Sequence, residues 1–373
     1  MTLSWLSVDA RTGGVLADLP DLDCPKVSRS ICRYDSTTAT LPVPTAPEGW
    51  ELATRPGGSV MILLSDDLPI WGGMVTQRTR GSGDSIPLAL ATEEAYLDGR
   101  FVGDVTYTAT GQNAIVADLI ARYVATGPLG GIPIRVVQVG GVGTLRDRTY
   151  TDASDKSIYS VLTELAGVEG GPQWTIEWEH QSSPERYTPV MYVGARIGTP
   201  IMAGMAPTAT FDLPGCVTVA SYLEDYSGGK GANSVTATTT GDGTTHLVSP
   251  AQIAADDGRP TREYRYSPST SITDVGTLTD HAARTLATLA PGSTALTLSA
   301  SVLATATKPA APPLGTDWVL GDDVGFIIGG IGSDGKDTVP AFPGGMSGVA
   351  RCYGWELTLG VTQIVTPILV QGA

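Results

Sequence analysis

The sequence predicts a mainly β fold interrupted by α/β insertions, and three observations carry that prediction. Gly and Thr number 46 each among 373 residues, about a quarter of the chain, and Pro adds 26. Apolar runs are short and bounded by turn residues, and only three stretches show helical spacing. Gly and Pro disfavour long helices, whereas Thr and Val suit pleated surfaces and tight turns. The length allows two to three folding units of ordinary size, and 42% hydrophobic residues suffice for packed cores.

Residues 1–95 read as strands and turns. Ser59-Val60-Met61-Ile62-Leu63-Leu64 is a buried strand, Ser65-Asp66-Asp67-Leu68-Pro69 is turn chemistry, and Ile70-Trp71-Gly72-Gly73-Met74-Val75 begins the returning strand. Between Gln112 and Thr126, Ile115, Val116, Leu119, Ile120, Tyr123 and Val124 fall on one helical face, and Gly127-Pro128 stops the helix. A strand is expected from Ile132 to Val139. A second helix is expected from Asp155 to Ala166, with Ile158, Val161, Leu162 and Leu165 inward, Ser154 or Asp155 as cap and Gly167 at its end. Gln173 to Trp178 alternates with period two and leads to a strand at Val190 to Val193. Asn233 to Thr238 is a Thr-rich strand closed by the turn Gly241-Asp242-Gly243. A third helix, Asp274 to Leu289, presents Val275, Leu278, Ala282, Leu286 and Leu289 on one side before Pro291-Gly292. Strands follow at Ala295 to Val302, Val324 to Ile328 and Arg351 to Val361, with the extended connection Lys308-Pro309-Ala310-Ala311-Pro312-Pro313 between the first two. An Asp-Asp turn precedes a Trp-bearing strand twice, Asp66-Asp67 before Trp71 and Asp322-Asp323 before Trp355.

The formal charge is −15, and only five of the 23 basic residues are Lys. Such a chain repels phosphate, which disfavours general binding of nucleic acid or of an anionic membrane surface. No stretch approaches the ~20 apolar residues of a membrane span, and Met1-Thr2-Leu3-Ser4-Trp5 lacks the pattern of a secretory signal. Cys24, Cys32, Cys216 and Cys352 form no C-x-x-C pair and have no neighbouring His, so they read as separate reduced thiols of a chain folded in a cytoplasm.

A search for chemistry assembles no catalytic set. His180, His246 and His281 form no metal-ligand spacing, and His281, beside Asp280 and near Arg284, reads as a solvated or capped helix residue. Gly345-Met346-Ser347-Gly348-Val349 departs from a nucleophile elbow at its last position, and Ser227-Gly228-Gly229-Lys230-Gly231 is a hairpin tip rather than a phosphate loop. The pairs Asp256-Asp257 and Glu93-Glu94 are the carboxylates that glycoside hydrolysis would need, but adjacent acids diverge, and both pairs read as parts of polar turns. Asp18, Asp21 and Asp23 miss the twelve-residue calcium loop and read as a solvated segment. The expectation is a chain without enzymatic activity, cofactor or metal.

The order of the pieces is informative. Ile70 to Val75 closes a β unit, and Asp155 to Trp178 follows as helix, Gly-rich turn and Trp-bearing strand. Ala232-Asn233-Ser234-Val235, Leu320-Gly321-Asp322-Asp323-Val324 and Cys352-Tyr353-Gly354-Trp355-Glu356-Leu357-Thr358-Leu359 come after. The series resembles the tail-tip (baseplate) hub or minor tail proteins of long-tailed siphophages, whose tail-tube-like hub fold is shared with myophage baseplate hubs. The Arg-over-Lys, Ala/Gly/Thr-rich composition agrees with a phage of a high-GC host.

That resemblance implies a homotrimer with two tail-tube-like β-barrels per chain and smaller α/β domains, so that three chains continue the sixfold symmetry of a tail tube. On this division, 1–95 is the first tube-like barrel domain and 96–205 an α/β domain with two helices. The second barrel takes 206–250 and 295–373, and 251–294 is a helix-containing insertion. The implied partners are a distal tail protein, the tape-measure protein, and a receptor-binding or central spike or fibre protein. Viral DNA passes through without specific binding, and no membrane insertion is implied. Assembly would take place in the host cytoplasm, and the chain would end up at the tail tip of the virion. Some members carry a wall-degrading or fibre-like extension, which is not assigned to this chain ending at Ala373. Two alternatives stay open from the residues alone: a hexameric distal tail protein, and a carbohydrate-binding or wall-hydrolysing β protein. A channel lining should hold Asp, Glu, Ser or Thr with few unpaired Arg, because a basic wall would capture passing DNA.

Overall fold

A computed structural model describes residues 2–202, 204–239, 246–268, 272 and 274–370. In chain order its strands and helices are β1 Leu3–Asp9, β2 Val15–Asp18, β3 Lys26–Ser30, β4 Ser36–Pro42, α1 Trp50–Ala53, β5 Ser59–Ser65, β6 Leu68–Arg78 and β7 Ser85–Thr92. There follow β8 Val105–Gly111, α2 Gln112–Leu119, β9 Arg135–Val139, β10 Leu145–Tyr150, α3 Ile158–Ala166, β11 Gln173–Ser182 and β12 Glu185–Gly194. The rest are β13 Thr210–Leu213, β14 Val217–Asp225, β15 Ser234–Ala237, β16 Gln252–Ile253, β17 Glu263–Tyr266, α4 Val275–Leu289, β18 Ser293–Ser301, β19 Asp323–Ile328, β20 Met346–Thr358 and β21 Ile364–Val370. The chain is mainly β with α/β insertions, as the composition and the short apolar runs predict. The expected turn at Gly241-Asp242-Gly243 lies outside the described residues.

Two compact units divide the chain: 1–220 with 297–373, and Ser221–Leu296. In the larger unit a six-stranded sheet runs β2-β1-β5-β6-β7-β4. All seven residues of β5 are buried, as a strand covered on both faces requires. Asp66 and Asp67, at φ 47° and 68°, form the two-residue turn between β5 and β6, and short polar side chains tolerate that left-handed backbone best after Gly. Leu6, Val8, Val60, Ile62 and Leu64 pack against Trp178 and Tyr187 of the β11–β12 hairpin.

A seven-stranded sheet runs β13-β19-β20-β21-β18-β14, with β3 also paired to β20. Along one edge of β20, residues 346–351 pair with β19 and 354–358 pair with β3. A strand from the start of the chain is thus built into a sheet made by its end. Trp71 donates its indole N–H to the Ser28 carbonyl at 3.0 Å, and Trp355 pairs across from Arg29. Both tryptophans of the sequence echo therefore flank β3. Their Asp-Asp partners differ: Asp66-Asp67 is a hairpin turn, whereas the Asp322 carboxylate accepts the backbone N–H of Thr199 and Val319 and leads into β19.

The α/β part packs α2 and α3 with Ile115, Leu119, Ile158, Leu162 and Leu165 in one core that includes Trp174 and Met191. The first expected helix is α-helical only to Leu119 and continues as a π-helical segment over Ile120–Val124, where the Ala125 N–H bonds to the Ile120 carbonyl. The second begins later than expected, at Ile158. Asp155 instead takes a left-handed conformation after a short 3-10 turn, and Ser157 caps the helix by accepting from Ser160 N at 3.1 Å. Only part of the expected strand from Ile132 forms, as β9.

The smaller unit is a three-stranded sheet, β16-β15-β17, covered by α4 through Leu278 and Ala282. Asp274 caps α4 by accepting from Thr277 N at 2.7 Å.

Candidate functional site

One face of the seven-stranded sheet is a regular polar surface. Register fixes it: Glu356 lies opposite Ser28 and Thr366, and Thr358 opposite Lys26 and Ile364, all on one side. The neighbouring positions Val27, Trp355, Leu357 and Val365 point the other way and are buried. On the outward side Ser299 Oγ and Thr366 Oγ1 are 3.0 Å apart, and Lys26 pairs with Glu356 at 2.7 Å. The six-stranded sheet repeats the pattern at one end. Thr38, Thr40, Pro87, Ala89 and Gln77 share a face, while Ala39, Leu41, Ile86 and Leu88 are buried on the other. Period-two alternation of small polar and apolar residues produces both faces.

Beneath the Ser/Thr face runs a buried charged seam. Arg29, 7% exposed, donates to Thr175 Oγ1 at 2.7 Å and to the Ile176 carbonyl, with Glu94 at 3.6 Å and Glu177 at 3.9 Å. Arg351 donates to Gln173 Oε1, to the Ile197 carbonyl at 2.8 Å and to the Gly321 carbonyl at 3.2 Å. Arg196 pairs with Asp323. These guanidiniums join β3, β11, β19 and β20 to their connecting loops, and acceptors from several elements hold Arg29 and Arg351, which is the arrangement of a clamp. Burial pulls the Arg351 pKa down and pushes that of Glu177 up, with Arg29 opposing the latter. Period two places Arg29 on the same face as Val27, and that parity is the signal in the sequence for an inward arginine.

Glu93 and Glu94 correct the expectation of a polar turn. They begin a 3-10 segment, Glu93–Gly99, that packs against β6, β7, β11 and α3, and they are 1% and 2% exposed. Glu94 Oε1 accepts the Ile176 N–H at 2.9 Å, whereas neither Glu93 oxygen has a hydrogen-bond partner among the described residues. Burial, and next the charge of Glu94, push the Glu93 pKa up to about 8. A solvated acid–base pair for glycoside hydrolysis is not what this geometry offers.

The other candidates are placed as follows. His180 stacks on Tyr187 at 4.8 Å, His246 is exposed, and His281 lies on α4 at 6.3 Å from Tyr266. Asp257 is held by Arg259 beside an exposed Asp256. Ser347 lies within the strand β20, not on a strand-to-helix elbow. Ser227–Gly231 is not the expected hairpin tip, because the flanking β14 and β15 belong to different sheets; Asp225 accepts from Ser227 and pairs with Lys230, so the lysine is engaged by its own loop. Asp18, Asp21 and Asp23 are exposed. The four cysteines are unpaired, and burial pushes Cys32 and Cys216 to about 11 and Cys352 to about 12, which holds them as thiols. Among the described residues no His, Cys, Asp and Glu cluster has metal-binding geometry, and no helix is long and apolar enough to cross a membrane.

No family model and no curated protein matches the sequence. Solved structures do match its fold over essentially the whole chain. A tail protein from Neisseria meningitidis MC58 superposes with a TM-score of 0.55 at 14% identity, covering 100% of this chain and 98% of that one. A 43 kDa tail protein of prophage MuSo2 from Shewanella oneidensis gives 0.56 at 9% identity, covering 99% and 98%. A chain of the lidded Francisella PdpA–VgrG complex gives 0.52 at 6% identity, covering 98% of this chain and 52% of that longer one. The chain thus has the fold of prophage tail proteins, the fold class that its sequence resemblance implies.

Proposed function

We propose that this protein is a structural hub of a bacteriophage tail tip. It acts as a homotrimer that closes the distal end of the tail tube and joins it to the distal tail protein, the tape-measure protein and a receptor-binding or central spike protein. The observation that carries this reading is the end-to-end match to tail proteins, which spans both multi-stranded sheets. The pairing orders end at β2 and β4 and at β13 and β14; Asp23 bridges Thr40 on the outer side of β4, and on this reading strands from other copies continue the remaining edge positions into a tube. The sheets stand for the two tube-like units, and their Ser/Thr faces suit a wall that passes DNA without capturing it. In this role the protein has no enzymatic activity, is made in the host cytoplasm and ends up in the virion.

The mass of the complex assembled from the purified protein tests the reading. Three copies are expected. Six copies would instead favour a distal ring protein, and a strict monomer under all conditions would overturn the hub role. Turnover of purified cell wall that is abolished by His281→Ala or Asp256→Asn would overturn the non-enzymatic part.

A further inference from the structure

A single cavity of the larger unit combines an apolar wall with hydrogen-bonding groups of both kinds. Its volume is about 510 Å³, within the range of small-molecule sites. Leu68, Ile70 and Leu320 supply apolar wall, while Arg29 and Glu177 supply a donor and an acceptor.

The polar wall is only partly paired. Arg29 is 7% exposed, and its two hydrogen bonds to protein, to Thr175 Oγ1 and to the Ile176 carbonyl, both leave from Nη2. Its Nη1 and Nε reach no acceptor among the described residues, since Glu177 Oε1 stands 3.9 Å from Nη1, beyond hydrogen-bond distance. No described residue donates a hydrogen bond to the Glu177 carboxylate either. Trp355, which lies opposite Arg29 across β3 and β20 and also lines the cavity, is 1% exposed, and its indole N–H has no acceptor among the described residues. Buried groups of this kind need a partner, because leaving them unpaired costs the desolvation of each.

The gap between Arg29 and Glu177 has a definite chemical complement. A single atom at about 2.8 Å from each side closes a 3.9 Å span, and it must accept from Nη1 and donate to Oε1. A hydroxyl oxygen does both, whereas an amide nitrogen only donates and an amide oxygen only accepts. A cation in that position would face Arg29 and an anion would face Glu177, so the pair selects a neutral group. We propose that this cavity binds a neutral saccharide unit, one hydroxyl of which bridges Arg29 and Glu177 in the place of a water molecule. A second sugar oxygen accepts from the Trp355 indole, and the C–H face of the ring lies against Leu68, Ile70 and Leu320. The proposal goes beyond the hub role: it adds binding without turnover, in a cavity built by one copy of the chain.

The test is calorimetric titration of the purified full chain with D-glucose, D-galactose, L-rhamnose and N-acetyl-D-glucosamine. D-glucuronate, D-glucosamine and N-acetylglutamine amide serve as the acidic, basic and amide comparisons. At least one neutral sugar should bind with a dissociation constant of about 0.1–10 mM. Its affinity should not change between about 50 and 500 mM salt, because no net charge is being paired. The two charged sugars should bind about tenfold or more weakly, and the amide should not compete. Glu177→Gln keeps the shape but loses the charge-assisted bond, and it should weaken the sugar about tenfold. Leu68→Trp narrows the cavity from a wall position that is 45% exposed, so it reports on the same site if the first variant folds poorly. It too should weaken binding, whereas Asp256→Asn, an exposed acid of the smaller unit, should change nothing. No binding of any neutral sugar at about 50 mM would overturn the proposal. So would an amide that binds as tightly as the sugars, which would favour a polypeptide occupant, or a preference for either charged sugar. Unchanged affinity in both cavity variants, or an equal loss in Asp256→Asn, would overturn it as well. Copy number is read separately, so failure here and failure of the hub reading are distinct outcomes.

Discussion

Glu93 is the residue with the clearest thermodynamic signature. Its carboxyl is buried without a partner, and its pKa rises from the ordinary glutamate value to about 8 because charging it costs desolvation and repulsion from Glu94. A raised carboxyl pKa means that the folded state holds the proton more tightly than the unfolded chain. Its favourable contribution is complete below about 4.5, falls as pH rises, and is lost by about 8. Urea denaturation at several pH values should therefore show Glu93→Gln gaining on the wild type between pH 5 and 8, by up to about 1.4 kcal/mol per pH unit, with no further gain above that. A difference that does not change with pH would mean that Glu93 is not buried as described. At the same scale, Gly198 and Gly321, both with positive φ, let two loops touch backbone to backbone. A Cβ on Gly198 would lie 2.0 Å from the Gly321 carbonyl carbon, and one on Gly321 would lie 2.3 Å from the Ile197 carbonyl oxygen. That approach presents the Ile197 and Gly321 carbonyls to Arg351.

Among the elements, α2 and α3 are held by packing more than by propensity. Gly111 gives α2 no side-chain cap, and its last turns widen to a π-helix, yet Ile115, Val116, Leu119, Ile120 and Val124 are fully buried. Leu119→Ala and Leu162→Ala should each lower stability by about 2–5 kcal/mol, as large-to-small changes in a core do. Chemical denaturation of the purified variants measures this, and unchanged midpoints in both would mean that the faces were partner surfaces. The strands show the complementary lesson. β3 is only five residues long, but its Val27/Arg29 parity seats a guanidinium where β11 supplies Thr175 and Ile176 as acceptors. Removing one partner of a buried ion pair strands the other charge, which costs more than the intact pair contributes.

For the whole molecule, a charge of −15 combined with polar sheet faces predicts indifference to nucleic acid. In a gel-shift experiment at about 50 mM salt, where phosphate contacts are strongest, duplex DNA should migrate unchanged at micromolar protein. Retention that falls with a steep salt slope would place an unpaired basic surface on the assembly and contradict a passive channel wall. The open sheet edges make the complementary point. Apart from the Asp23–Thr40 bridge on β4, the end strands of the six- and seven-stranded sheets invite pairing between copies, which is why copy number is the decisive measurement for the hub role.

The sequence by itself determined the class of fold and the location of the cores. Short apolar runs between Gly, Pro and Asp turns specify strands through local sterics. Six apolar residues at helical spacing mark α2 and its π-helical continuation, and Asp274 marks the start of α4, because periodicity and capping are properties of neighbours along the chain. Tertiary structure alone decided which strands pair across hundreds of residues, as β3 does with β20. It also made Glu93-Glu94 a buried pair instead of a polar turn, and it set Arg29 beside Glu94 and Glu177. Burial and charge proximity depend on what the distant chain brings alongside, and no local pattern encodes that.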